Sequence, residues 1–109
     1  TKYLTIFQYF LFDGKKHRVY LCSPQSGMTS LFKPKIEALN FFNGFSEFGK
    51  VDKIEEIQTT KLDSVDNLKA IDFLKMDVQG AELGILKNGS KKLQRCLAIQ
   101  LELSYFPLY

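Results

Sequence analysis

Between residues 71 and 86 the chain reads IDFLKMDVQGAELGIL, and the spacing of its apolar positions changes halfway along. From Ile71 to Val78 the side chains alternate. Ile71, Phe73, Lys75 and Asp77 fall on one face, and Asp72, Leu74, Met76 and Val78 on the other. A run this short and this apolar predicts one buried strand. Gly80 interrupts it, and Ala81-Glu82-Leu83 opens a run of good helix formers with Leu83 and Leu86 as its apolar side. Lys87-Asn88-Gly89 ends that helix, with a cation in the last turn and glycine where a left-handed residue is wanted. Residues 90–95 carry another helical turn or two. Residues 97–104 then alternate again, Leu97, Ile99, Leu101 and Leu103 against Ala98, Gln100, Glu102 and Ser104. The pattern predicts a βαβ crossover: two adjacent parallel strands with the helix packed on one face.

The earlier chain is read the same way. Residues 4–12 (LTIFQYFLF) are apolar on both sides and predict a strand covered on both faces. Asp13-Gly14 is a hairpin signal, with residues 18–22 as the return strand. A polar loop, SPQSGMTSLFK, leads to Pro34, which fits the first turn of a helix over residues 35–42. Asn43-Gly44 stops that helix. Phe41, Phe42, Phe45 and Phe48 form an aromatic cluster of the kind that usually builds core. Residues 51–60 alternate apolar and charged positions, although Val51, Ile54 and Ile57 are also three apart, as in a helix. The β-branched pair Thr59-Thr60 favours the strand. Asp63-Ser64 predicts the cap of a short helix through Leu68.

Composition narrows the class. At 109 residues, 45% hydrophobic and 25% charged, the chain is one globular domain or part of one, not a disordered segment. No apolar run approaches the ~18 residues of a membrane helix and no signal peptide opens the chain, so a cytoplasmic setting without a membrane span is expected. A net charge of +3 is too weak to imply nucleic acid. Cys22 and Cys96 have neither metal-ligand spacing nor a disulfide framework, and read as inert buried thiols; no metal site is expected. Lys15-Lys16-His17-Arg18 reads as a solvated turn ahead of a phosphate site. His17, the only histidine, is not read as a base, for want of a nearby serine or carboxylate.

The candidate chemistry sits where the first strand of the crossover ends. Ligands of open parallel sheets bind outside the carboxyl ends of the strands, where Asp77 falls. Two roles are open to it: N-cap of the following helix, or a carboxylate that acts on a ligand. Lys75, inside a strand read as buried, needs a partner, because an unpaired charge in low dielectric is expensive. Asp77 on its own face or Glu102 on the neighbouring strand supplies one.

The block IDFLKMDVQGAEL, with Leu86-Lys87-Asn88-Gly89 after it, resembles the signature of the FkbM-type methyltransferases. There, hydrophobic–Lys–hydrophobic–Asp–Val–(Glu or Gln)–Gly–Ala–Glu follows the fourth sheet strand. Thr59-Thr60-Lys61-Leu62-Asp63-Ser64 upstream matches too, as do Leu101-Glu102-Leu103-Ser104 and Pro107-Leu108-Tyr109 downstream. Lys61 departs from the small polar residue usual at its place. The similarity is dense from residue 59 to 109 and looser before.

The resemblance implies an α/β fold: the C-terminal portion of a Rossmann-like class I methyltransferase, with a mixed, mostly parallel sheet and a β-hairpin. It implies S-adenosylmethionine as cofactor and O-methylation of a small-molecule or glycan acceptor, on a hydroxyl of a sugar, glycan, lipid or secondary metabolite. Asp77 becomes the residue that orients or deprotonates that hydroxyl, or reaches the cofactor's charged end, with Lys75 keeping it ionised. Gln79, Glu82 and Ser30 become substrate contacts. Ser30 lies in Gly27-Met28-Thr29-Ser30-Leu31, which is similar to a Gly-x-x-Ser-Leu loop of the family. Asp77 and Gly80 become cofactor contacts, and Glu102 a structural partner. None of the glycines makes a Gly-x-Gly turn. By the resemblance that cofactor loop lies upstream of Thr1, so the chain is expected to be a C-terminal fragment that binds cofactor weakly. The alternative is a non-catalytic methyltransferase-like module that joins a partner chain, or a second copy, through an open sheet edge or apolar face.

Overall fold

In the computed structural model, which describes residues 3–109, the strands form two small two-stranded sheets. Lys16–Cys22 (β1) pairs antiparallel with Val51–Gln58 (β2), from Lys16 opposite Gln58 to Cys22 opposite Val51, with a bulge at Leu21/Cys22. Phe73–Met76 (β3) pairs in parallel with Ala98–Leu101 (β4), Phe73 opposite Ala98 and Met76 opposite Leu101. Between them runs Glu82–Lys87, a short helix. The expected crossover is thus present. A second helix, Ile36–Asn40 (α1), and a 3₁₀ turn at Ser46–Gly49 lie between β1 and β2. The Glu82–Lys87 helix is α2.

The main core joins Leu62, Met76, Ala81 and Ile85, with Leu11, Phe12, Leu74, Val78 and Leu101 packed around them. The even-numbered face of β3 is therefore the buried one. On α2 the anchor is Ile85, one turn from Ala81, whose carbonyl accepts the Ile85 N–H at 3.1 Å. Leu83, expected on the apolar side, is 62% exposed, because the helix turns its Ala81–Ile85 stripe to β3. A smaller core holds Cys22, Met28 and Leu39.

Gly84 lets α2 approach residue 12. A Cβ there would lie 2.0 Å from Phe12 Cε2. Gly84→Ala gains about 1 kcal/mol of helix propensity, but overpacking costs ~1–3 kcal/mol. The net expectation is a lower melting temperature; an unchanged or higher one would show that Phe12 moves aside freely.

Three expectations need correction. Residues 4–12 form no strand and no hairpin arm. Leu11 makes one parallel bridge to Thr60, and Phe12 N–H donates to the Thr60 carbonyl at 2.9 Å. The Asp13-Gly14 turn exists, with Lys15 N–H donating to Asp13 Oδ1 at 2.9 Å. However, Gly14 N–H is taken by Thr59 Oγ1 at 3.1 Å, and β2 supplies a partner along the whole of β1. In place of one mostly parallel sheet there are two separate pairs, one antiparallel and one parallel. Asp63 caps no helix running on to Leu68. It lies in a 3₁₀ turn, Leu62–Ser64, and its carboxylate accepts the N–H groups of Lys91 (3.3 Å) and Lys92 (3.0 Å). Lys92 Nζ closes the clamp by donating to the carbonyls of Val65 and Leu68.

Candidate functional site

A cavity of about 370 Å³ opens beyond the carboxyl ends of β3 and β4, the position expected for ligands of parallel strands. Asp77, Glu82 and Glu102 line it with Gln79 and Gly80, and Phe32, Phe106 and Tyr109 supply aromatic surface. Among the described residues, no lysine, arginine or histidine lines it. Its volume is within the range of small-molecule sites.

Asp77 is not a helix cap. The residue preceding α2 is Ala81, which makes no side-chain capping bond. Asp77 Oδ1 instead accepts the Gln79 side-chain N–H at 2.6 Å, and Gln79 Oε1 accepts the Tyr109 hydroxyl at 3.0 Å. Phenol, amide and carboxylate thus form a chain of donors pointing to Asp77, while its Oδ2 has no hydrogen-bond partner among the described residues.

The turn that carries Gln79 is unusual. Gln79 has φ 53° and Gly80 φ 103°, so a side-chain-bearing residue occupies the left-handed region. That costs of order 1–3 kcal/mol and persists only where the surroundings enforce it. Ser30 is one such constraint: its hydroxyl is buried, donates to the Gln79 carbonyl at 2.5 Å, and accepts the Phe32 N–H at 3.0 Å. Ser30 is therefore spent on the turn, not presented to a substrate. Gly80 fits between two rings, since a Cβ there would meet Phe32 at 3.3 Å and Tyr109 at 3.5 Å.

Glu82 has a similar fate. It is 7% exposed, and its two oxygens accept the backbone N–H groups of Val78 (3.1 Å) and Gly80 (2.9 Å). Although it borders the cavity, its carboxylate braces the strand-to-helix turn. Glu102 is exposed at the opposite wall, its own N–H donating to the Met76 carbonyl at 3.3 Å.

The expected ion pair of Lys75 is absent. Lys75 is exposed and bonded to neither Asp77 nor Glu102, because the Phe73–Lys75 face of β3 is open. It borders a second, more apolar cavity of about 510 Å³ between β3 and residues 9–11, and Asp77 is the residue common to both cavities. His17 also differs from expectation. Its Nε2 lies 2.7 Å from Asp13 Oδ1, four residues back, because the Asp13-Gly14 turn folds onto the start of β1. Burial alone would raise the Asp13 carboxyl, yet the Lys15 N–H, His17 and Thr59 together hold it below its ordinary value of 3.8. Burial, with a contribution from Asp52, pushes the Cys22 thiol up, consistent with an inert sulfur.

Tyr109 is the member of the site that sequence reasoning missed. It lies 30 residues from its partner, and the Pro107-Leu108-Tyr109 match in the sequence gave the tyrosine no role. Lys35 N–H donates to the Leu108 carbonyl at 2.7 Å, drawing the segment over the cavity. Burial, then Cys22, Glu82 and Asp77, push its phenol up to about 12. A raised folded value means the stability is fully present below the ordinary 10 and is lost as pH climbs through about 12. Tyr109→Phe is expected to flatten the alkaline part of a melting-temperature profile; an unchanged profile would remove Tyr109 from the buried network.

Among known protein families, the model described as the methyltransferase FkbM domain matches residues 3–109. Neither the curated proteins nor the solved structures give a match to this chain.

Proposed function

The chain belongs to the FkbM methyltransferase family, and from that premise we propose that it carries the acceptor side of an S-adenosylmethionine-dependent O-methyltransferase. The carrying observation is Asp77. It stands at the carboxyl end of β3, oriented by Gln79, in a cavity with carboxylates and aromatic rings but, among the described residues, no basic side chain.

That donor set suits a cation. Asp77 and Glu102 would hold the cofactor's positively charged end, in a cavity that Phe32, Phe106 and Tyr109 also line, aromatic surface compatible with positive charge. S-adenosylmethionine, when bound, supplies a methyl group on a positively charged sulfur. Its adenosine and carboxylate find no glycine-rich cradle here, since no Gly-x-Gly occurs in the chain. We therefore assign the main cofactor loop to polypeptide outside these residues. Asp77 would accept a hydrogen bond from the acceptor's O–H and orient that oxygen, and its carboxylate would favour positive charge nearby. Gln79 and Tyr109 hold that carboxylate in place, and Ser30 and Glu82 hold the turn. The test is transfer of labelled methyl from S-adenosylmethionine to hydroxyl-bearing compounds by the full-length protein. Labelling of carboxyl or amine groups alone would remove the O-methylation reading.

A second reading has its own observation. β3 is paired only with β4 among the described residues, and its other edge borders the 510 Å³ apolar cavity. An open edge of this kind is a template for another strand, which favours a module that associates with a partner chain or a second copy. A concentration-independent monomer in sedimentation would exclude self-association.

A further inference from the structure

Half of the residues that line the acidic cavity come from one short segment, 103–109, which belongs to no helix or strand. Residues 103–107 are exposed, and the segment is fastened near its end. Leu108 and Tyr109 pack on the small core of Cys22, Met28 and Leu39, and Lys35 N–H donates to the Leu108 carbonyl at 2.7 Å. Phe106 stacks at 6.3 Å on Phe41, a 77% exposed ring where the sequence led us to expect core. Among the described residues, one side-chain hydrogen bond ties the segment down: the Tyr109 hydroxyl donates to Gln79 Oε1 at 3.0 Å. Each of these is a contact made inside the chain, not a surface left bare by it. A segment with few buried contacts and few main-chain bonds is among the first to open.

The tyrosine bond reaches the candidate chemistry. A side-chain amide has one accepting end and one donating end. With Gln79 Oε1 taken by the Tyr109 O–H, its Nε2 is turned to Asp77 Oδ1, 2.6 Å away. Released from the phenol, the amide can turn over and would then set its oxygen against the carboxylate. The backbone beneath is held under constraint as well. Gln79 has φ 53°, and the Tyr109 ring lies against Gly80, where an added Cβ would meet it at 3.5 Å. We propose that residues 103–109 are a strap over the cavity, latched by the Tyr109 hydroxyl on Gln79, so that covering the cavity and orienting Asp77 are one event. Ligand enters with the strap lifted and meets an aligned carboxylate once it is seated. This rests on the methyltransferase reading and adds to it a gate on the same site, with Tyr109 as its positioning residue.

Hydrogen exchange read by mass spectrometry, on a longer protein that carries the proposed cofactor loop, tests this. Tyr109→Phe keeps the ring and removes the latch. It is expected to speed exchange on the order of fivefold, the scale of one hydrogen bond, both in residues 103–109 and in the turn at residues 77–82. Gln79→Asn tolerates the left-handed backbone but is too short to hold both partners, and is expected to do the same. Adding Tyr109→Phe to Gln79→Asn should change nothing further, because each removes the same latch. Unchanged exchange in β1 and β2 shows that the variants fold, and if Gln79→Asn does not, Tyr109→Phe alone still decides whether strap and turn move together. Exchange in residues 103–109 that ignores Tyr109→Phe overturns the strap. Faster exchange there with none at residues 77–82 also overturns it, as do effects of the two substitutions that add. S-adenosylmethionine is expected to slow exchange of residues 103–109 in the parent protein. Cofactor binding that leaves them unprotected removes the strap alone, whereas coupled strap and turn in a protein that binds no cofactor keeps the strap and removes the methyltransferase reading.

Discussion

Replacing Asp77 by asparagine in the full-length protein is expected to lower methyl transfer by ~10²-fold or more, the scale of general acid–base and electrostatic groups. Folding stability should barely change. Asparagine keeps the shape and an oxygen for the Gln79 N–H that now lies 2.6 Å from Asp77 Oδ1, and no helix-capping bond is lost because Asp77 makes none. The substitution removes the charge while retaining the framework. Turnover within a few-fold of the parent protein would take Asp77 out of the chemistry and leave it a surface carboxylate beside a turn.

The largest effect on stability is expected at Glu82. Its buried carboxylate is the acceptor for two backbone N–H groups, those of Val78 and Gly80. Glu82→Ala leaves both donors unsatisfied at a strand-to-helix turn, at a cost of about 2–4 kcal/mol. For a chain of this size that lowers Tm by roughly 10 °C or more. Glu82→Gln is expected to fall between, since its amide can accept one N–H but turns a second donor toward the other. Thermal melts decide the matter. A Glu82→Ala protein that melts like the parent but shows a raised KM would return Glu82 to the role of substrate contact.

What the sequence made legible follows the range of each signal. The β3–α2–β4 unit was readable because its alternation, glycine break and helical run are local, and the parallel pairing matches. Asp77 was readable as a ligand-edge carboxylate for the same reason. The hairpin at Asp13-Gly14 failed because turn chemistry fixes a turn, not the strand's partner; Thr59 and β2 compete for this segment from about 30 to 45 residues away. Lys75 was misread because alternation cannot tell which face is covered, and here the face with Leu74 and Met76 went inward. Glu82 and Ser30 looked like substrate contacts, yet their polar atoms bond backbone groups of the turn at residues 78–80. Tyr109 was marked only as part of the Pro107-Leu108-Tyr109 match and given no role, since that role exists only once residue 79 is folded beneath it.

The central claim is that this chain supplies one wall of a cofactor and acceptor site, and titration with S-adenosylmethionine tests it most directly. Calorimetry on residues 1–109 alone and on a longer protein that carries the proposed cofactor loop gives the comparison. The account predicts binding weaker than about 10 μM, near −7 kcal/mol, for the chain alone, and tighter binding by the longer protein that Asp77→Asn weakens. Absence of binding by the longer protein, or full affinity in the chain alone, would contradict it.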